Sequence, residues 1–313
     1  MYIGIDLGGT NIAGGLVHKD GSVVKIDSVP TGKERGFEAV SEDILSLIKE
    51  LMKDAPEPVE GVGVGVPGVV DNNLSMIYYC TNLSWNDKDL GKELGDKLGI
   101  PVFIDNDANL AALAEVEAGS LSAADNAVML TLGTGIGGGV AVDGHILRGS
   151  HGLGSEIGHM IIGENFYDCN CGNNGCFETF SSATAVIKYA EKLLEENKYP
   201  ESVLYEVKNS GDLTAKAVID AAKAGDALGS DAFDRLVKYL AIGVTNIVNI
   251  FDPEMIALGG GVAHTGAYLV ERLEEKVKAM SFIKNFPSAK IVLAELGNNA
   301  GVIGAAMLAK TEM

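Results

Sequence analysis

Two stretches of this chain repeat one design, and that repetition limits the fold more than any other feature of the sequence. The first alternates Ile3, Ile5 and Leu7, breaks at Gly8-Gly9-Thr10-Asn11, and resumes through Ile12 and Leu16-Val17 to a turn at Lys19-Asp20-Gly21. The second runs Val128, Leu130, Leu132, breaks at Gly133-Thr134-Gly135-Ile136-Gly137-Gly138-Gly139, and resumes through Val140-Ala141-Val142 to a turn at Asp143-Gly144. Period-two alternation on both sides of a glycine bend specifies a hairpin. Two such hairpins predict corresponding units of two similar halves facing one cleft.

Between and after them, helix and strand patterns alternate. Phe37, Val40, Ile44, Leu47, Ile48 and Leu51 fall at helical spacing, and Glu57 to Glu60, with two prolines nearby, ends that helix. Val62, Val64 and Val66 alternate with glycine before Pro67-Gly68, as in a buried strand that stops at a pocket edge lined by backbone. Leu90, Leu94 and Leu98 mark another helix, followed by the strand Val102-Phe103-Ile104. Further on, helical stripes run from Ala183 to Leu194 and from Phe233 to Phe251, stopping at Pro253. Strand Met255 to Leu258 leads into a third glycine loop, Gly259-Gly260-Gly261, and a helix through Leu269, Leu273 and Val277. Asn299 to Lys310 reads as a closely packed terminal helix. The pattern is that of an α/β chain with mixed sheets.

At 313 residues the chain exceeds the usual size of a single core, so two domains are expected. No Ser/Gly linker marks their boundary. The chain is expected to cross near Glu115 to Asp125 and return near Leu296. That makes a small lobe of residues 1–118, completed by a terminal helix at 298–313, and a large lobe of 119–297.

The stretch from Gly152 to Glu178 concentrates metal-ligand chemistry. It carries Glu156-Ile157-Gly158-His159 and then Cys169-Asn170-Cys171-Gly172-Asn173-Asn174-Gly175-Cys176-Phe177-Glu178. Three thiols and one imidazole make a tetrahedral set of the kind that closes a structural zinc site. The alternative is disulfide pairing or plain buried thiols, but Cys169 and Cys171 are too close to pair easily and a three-cysteine cluster leaves one thiol over. Glu156 and Glu178 bracket this knuckle without being needed by the metal. Either the metal aims both carboxylates, and the second ring nitrogen of His159, at a polyhydroxylated ligand, or the two are solvated surface acids. Cys80 stands apart and reads as a small buried hydrophobe.

Forty-three acidic against twenty-four basic side chains give a net charge of −19, which repels nucleic acid and anionic membranes. An anionic ligand would need local backbone donors and a divalent cation. No apolar run approaches the roughly 20 residues of a membrane span. The start, Met1-Tyr2-Ile3-Gly4, shows no basic leader or cleavage site, and the cysteine usage fits a reducing cytoplasm.

Successive glycines expose backbone N–H groups that cradle anions, and two such loops are suited to gripping a polyphosphate. Asp6, just before the first loop, is placed to hold magnesium through water, and Thr10, Asn11 and Thr134 add donors. Neither loop is a Walker A sequence, and a lone Gly-Gly-Thr is often only a tight hairpin. Asp105-Asn106-Asp107-Ala108-Asn109 follows the strand at Val102 to Ile104. Asp107 suits a general base that takes a hydroxyl proton during attack on phosphorus, or the cluster is a helix N-cap.

These motifs, from Asp6-Leu7-Gly8-Gly9-Thr10-Asn11 through Asn106-Asp107-Ala108-Asn109 and Gly133 to Gly139 to Glu156-x-Gly-His159 and the cysteine knuckle, together resemble the ROK family of bacterial sugar kinases, and within it the glucokinases. The resemblance spans nearly the whole chain in the family's order. It implies an actin-like (ribonuclease H-like) ATPase fold of two lobes, with the active site in the cleft. Carried over residue by residue, Asp107 is the base acting on the sugar 6-hydroxyl. Asn106, Asp107, Glu156, His159 and Glu178 contact the hexose, with Gly68 at the pocket edge. His159, Cys169, Cys171 and Cys176 bind zinc. Asp6, Gly8, Gly9, Thr10, Asn11, Gly133, Thr134 and Gly135 serve the phosphates and their magnesium, and Gly259, Gly260 and Gly261 the nucleotide side. The implied reaction is transfer of the γ-phosphoryl group of magnesium ATP to a hexose, glucose favoured, in a homodimer or homotetramer. Kinases for N-acetylmannosamine, N-acetylglucosamine, mannose, allose or fructose share these motifs. So do sugar-responsive repressors, which resemble such a chain only after an N-terminal helix-turn-helix; here the first strand starts at Tyr2. A non-catalytic sensor would be expected to have lost Asp6 or Asp107, and both are present.

Overall fold

A computed structural model describes residues 1–284 and 288–313. Its strands are β1 (Tyr2–Leu7), β2 (Asn11–Val17), β3 (Val23–Pro30), β4 (Gly61–Val66), β5 (Val69–Val70), β6 (Ile77–Cys80), β7 (Trp85–Lys88), β8 (Val102–Asn106), β9 (Ala127–Leu132), β10 (Ile136–Val142), β11 (His145–Ile146), β12 (Met255–Gly259) and β13 (Lys290–Leu293). Its helices are α1 (Phe37–Lys53), α2 (Leu90–Leu98), α3 (Asp107–Ala118), α4 (Glu178–Ser181), α5 (Ala183–Glu195), α6 (Leu204–Ser210), α7 (Ala215–Lys223), α8 (Ala227–Phe251), α9 (Ala267–Met280) and α10 (Ala300–Thr311). The chain divides into two compact units, Met1–Met129 with Gly139–Ser155 and Ala294–Met313, and Leu130–Gly138 with Glu156–Leu293.

The repeat seen in the sequence is a repeat of topology. One five-stranded sheet has the order β3-β2-β1-β4-β8 and the other β11-β10-β9-β12-β13, the same path taken twice. In the first sheet β1 and β2 form the expected antiparallel hairpin, while β4 pairs parallel with both β1 and β8. The sequence reading passes over β3 and the three-stranded sheet β5-β6-β7, whose strands are short or carry polar residues on both faces. It also extends α1 too far. The helix stops at Lys53 because Ala55 precedes Pro56, and a residue before proline is pushed out of the helical region.

Alternation in β1 and β4 decides what lies on each face of the first sheet. Ile3, Ile5, Leu7, Val62, Val64 and Val66 pack with Val40, Ile44, Ile48 and Leu51 of α1. The opposite face is nearly bare. There the terminal helix α10 lies on glycine: an added Cβ would stand 1.9 Å from the Val302 carbonyl oxygen at Gly4 and 1.7 Å from the Ala305 carbonyl oxygen at Gly63. Gly304 makes the same close approach to α3, where an added Cβ would fall 1.9 Å from the Leu110 carbonyl oxygen. The Gly-Val alternation of β4 and the Ala/Gly content of α10 are therefore two sides of one contact. Gly63→Ala is expected to cost about 3 kcal/mol or more, because backbone rather than a flexible side chain blocks the new methyl. Chemical denaturation of the variant checks this.

Glu115 of α3 is fully buried yet accepts four hydrogen bonds, from the Glu295 and Leu296 N–H groups (3.0 and 2.9 Å) and from the Ser120 N–H and hydroxyl (2.8 and 3.0 Å). All four partners donate, so both carboxyl oxygens serve as acceptors. It pins the chain where it re-enters the first unit.

In the second unit α8 forms the spine. Its apolar stripe buries Phe233, Leu236, Val237, Leu240, Val244 and Ile247, and it ends before Pro253 as the sequence predicts. Gly243 leaves room for the ring of Phe177, whose Cζ lies 2.3 Å from where a Cβ would be. Among the described residues no helix is long and apolar enough to cross a membrane.

Candidate active site

The parallel strands β1, β4 and β8 end side by side, and the edge beyond their carboxyl ends is where open α/β sheets bind ligands. Each contributes a predicted residue. Asp6 is the penultimate residue of β1, Pro67-Gly68 follows β4, and Asn106 closes β8. Burial alone pushes the Asp6 carboxyl above its ordinary range, since Gly301 of α10 lets the helix backbone close over it. A carboxylate desolvated without a compensating cation is a chemically fitting ligand for a divalent ion.

The Gly8–Asn11 loop is closed by Gly8 N–H donating to the Asn11 carbonyl (2.9 Å). Thr31, fully buried, braces it from behind: its hydroxyl donates to the Gly8 carbonyl (2.7 Å) and its N–H to the Thr10 carbonyl (2.8 Å). Sequence reading passes over Thr31 because a lone threonine at the end of an unrecognised strand carries no signal.

Asn106 is the helix cap of this corner. Its Oδ1 caps α3, accepting from Ala108 N–H (2.8 Å) and Asn109 N–H (3.3 Å). Its Nδ2 donates to the Gly68 carbonyl (3.1 Å), tying the two predicted pocket residues together. Asp107 opens the helix as an exposed residue, its Oδ1 accepting from Ala108 N–H (2.9 Å). Cys80 is buried as expected, its thiol donating to the Pro67 carbonyl (3.3 Å) from beneath that pocket edge.

The second unit holds the remaining predicted residues. Gly133 follows β9 and Gly260 follows β12, and the two loops touch: Val262 N–H donates to the Leu132 carbonyl (3.1 Å). At Gly9, Gly133 and Gly261 an added Cβ would meet nothing within 4 Å, and none of the three has a positive φ. Neither packing nor backbone conformation calls for glycine there.

His159, Cys169, Cys171 and Cys176 converge, their ligand atoms all within 4.8 Å of one another. The His159 Nδ1 to Cys169 Sγ distance is 3.6 Å, and that between the Cys171 and Cys176 sulfurs is 3.5 Å. With metal–ligand bonds of about 2.0–2.3 Å, the edges of a zinc tetrahedron measure about 3.5–3.8 Å, so the group fits a structural metal site. The free cysteines form no disulfide among the described residues. Hydrogen bonding from the Asn173 N–H brings the Cys171 thiol down to about 7, while burial pushes the Cys169 and Cys176 thiols up. Displacing those two protons is work that a divalent metal does.

Glu178 starts α4 directly behind the knuckle. Its Oε1 accepts from the Cys169 thiol (2.9 Å) and its Oε2 lies 3.4 Å from Ile136 N–H, over Gly135, where a Cβ would come within 2.3 Å of it. The structure thus brings the knuckle, Glu178 and the Gly133–Gly135 loop into one cluster. Glu156 and His159 are exposed at either end of the turn Ile157–His159. A further clamp lies behind Glu178. The Arg235 guanidinium, surrounded by the rings of Tyr189, Tyr239, Phe180 and Phe166, donates to Asn165 Oδ1 (2.8 Å). Asn165 Nδ2 and the Tyr167 hydroxyl in turn donate to the Thr179 carbonyl (2.7 and 2.8 Å).

Residues 2–312 match the ROK family. The chain belongs to that family. Among ROK proteins it is 36% identical to the glucokinase of Halalkalibacterium halodurans, over 99% of this chain and 95% of that one. It is 37% identical to the glucokinase of Thermotoga maritima, over 98% and 96%. Among solved structures, a ROK family glucokinase from Streptomyces griseus in complex with glucose and AMPPNP superposes with a TM-score of 0.81 at 30% identity, covering 99% of each chain. The mixed α/β sheets of this ROK chain are those of the actin-like ATPase fold.

Proposed function

We propose that this chain is an ATP-dependent glucokinase that transfers the γ-phosphoryl group of ATP to the 6-hydroxyl of glucose. The observation that carries the proposal is the gathering of Asp6, the Gly8–Asn11 loop, Gly68 and the Asn106-Asp107 pair at the carboxyl ends of three adjacent strands. Its relatives named glucokinase and its likeness to a glucose- and AMPPNP-bound kinase support the same assignment.

In this assignment Asp107 takes the proton of the attacking hydroxyl, and Asn106 and the Gly68 carbonyl fix the sugar beside it. Glu156, His159 and Glu178 accept and donate hydrogen bonds to the other hydroxyls. The Gly8–Asn11 and Gly133–Gly135 loops hold the phosphates, with Gly259 to Gly261 on the nucleotide side. Positioning and fixed dipoles supply most of the acceleration, as in other phosphoryl transfers. Magnesium bound with ATP would offset charge on the phosphates, and Asp6 is the residue placed to hold its water shell. Zinc is the metal proposed for His159, Cys169, Cys171 and Cys176, where it orients His159 and Glu178 rather than entering the chemistry. The enzyme is proposed to be cytoplasmic and to work as a homodimer or homotetramer, which light scattering tests.

The test is ADP release from magnesium ATP by the zinc-loaded protein across a panel of glucose, mannose, fructose, allose and the N-acetylated hexosamines. The expected result is a kcat/KM for glucose above all the others. Preference for an N-acetylated sugar replaces the substrate, and sugar binding with no turnover anywhere makes the protein a sensor.

A further inference from the structure

Asp105 is the acid of the Asp105-Asn106-Asp107 run to which the mechanism gives no task, and it is the most deeply buried of its two carboxylates, at 3% exposed. Its Oδ1 accepts from the Asn106 N–H (2.7 Å) and from Asn109 Nδ2 (3.0 Å), so it grips the strand–helix corner from both sides. Its Oδ2 accepts from Arg148 Nε (2.7 Å). Arg148 Nη1 reaches Glu312, just past α10, at 3.1 Å. The arginine side chain is itself only 22% exposed.

The backbone of Arg148 is engaged too. Its carbonyl accepts from Gly154 N–H (2.8 Å), closing a strap whose Gly149 and Ser150 carbonyls are both held by Asn72 Nδ2 at 3.1 Å. The strap ends at Ser155, whose hydroxyl donates to the Leu147 carbonyl (3.1 Å), and the next residue is Glu156. One residue therefore meets two different segments. Its guanidinium fixes the corner that carries Asp107, and its main chain closes the strap that ends at Ser155.

We propose that Arg148 is a positioning residue for phosphoryl transfer, setting the Asn106-Asp107 corner through Asp105 while its main chain closes the strap of residues 148–154 in the same unit. This rests on the assignment of Asp107 as the base. A base works within about 2.6–3.2 Å of the atom that carries the proton, and a displacement of about 1 Å costs on the order of 10²-fold. The task needs an arginine: Nε and Nη1 point to two carboxylates at once, which one ammonium cannot copy.

The experiment compares wild type, Arg148→Met, Arg148→Lys, Asp105→Asn and the double variant Asp105→Asn/Arg148→Met, measuring kcat, both KM values and Tm. Arg148→Met is expected to lose about 10²-fold in kcat with the KM for ATP little changed, and Arg148→Lys to recover only part of it. The double variant removes both buried charges together, so its Tm is expected to recover relative to Arg148→Met while its kcat stays low. Turnover that returns along with Tm assigns Arg148 to stability alone and overturns the proposal. So does an Arg148→Met enzyme with wild-type kcat beside an active wild type. A wild-type protein with no hexose turnover overturns this proposal and the glucokinase assignment together.

Discussion

Asp107→Asn is expected to lower kcat for glucose phosphorylation by about 10²- to 10⁴-fold while glucose binding stays within a few-fold of wild type. The substitution is nearly isosteric, and the cap of the helix survives it. Asn106 caps the helix through its own Oδ1, and the bond that Asp107 Oδ1 accepts from Ala108 N–H is one an amide oxygen also accepts. What the amide cannot do is take a proton. Calorimetry with glucose, set against ADP release at saturating ATP, separates the two effects. A variant with near-normal kcat would falsify the assignment of Asp107 as base.

Loss of the knuckle metal has the second largest expected effect. Cys176→Ser removes a ligand that is fully buried, so no water or flexible side chain replaces it in place. Metal content is expected to fall from about one equivalent to near zero, and kcat/KM for glucose to drop by about 10²-fold or more. The route runs through Glu178, which follows Cys176 by two residues and leans on Gly135, so slackening the knuckle moves the proposed sugar ligand and the proposed phosphate loop together. Cys80→Ser is the control. Its sulfur lies on β6, outside the metal group, and metal content should not change. Elemental analysis of both variants, with thermal melts, gives the result. A metal-free Cys176→Ser enzyme with wild-type kcat/KM would separate the knuckle from sugar binding.

Much of this was legible in the chain because the strongest signals are local. A glycine bend between alternating apolar runs is a hairpin whatever lies around it, and β1–β2 forms as predicted. Cysteine and histidine spacing likewise carries its meaning within a few residues, and the four ligands converge. What sequence did not disclose is the support behind those residues. Thr31 acts on a loop more than twenty residues away in the chain, Arg148 on Asp105 forty-three away, and Arg235 on Asn165 seventy away. No local pattern marks such partners, since any exposed face has arginines and threonines like them. The reason for glycine in β4 was also hidden: alternation shows that one face is bare, but only the fold shows α10 lying on it.

The doubled sheet path has a consequence for charge. β1 and β9 are both six residues long and hold the same place in their sheets, yet Asp6 in the one corresponds to Thr131 in the other. A frame used twice has kept its acid in a single copy. An incoming polyanion is therefore opposed at one strand edge and not at its counterpart, and only at the acidic edge does binding require a cation to arrive with it. The scaffold is symmetric in its path and asymmetric in its charge at these two strand ends.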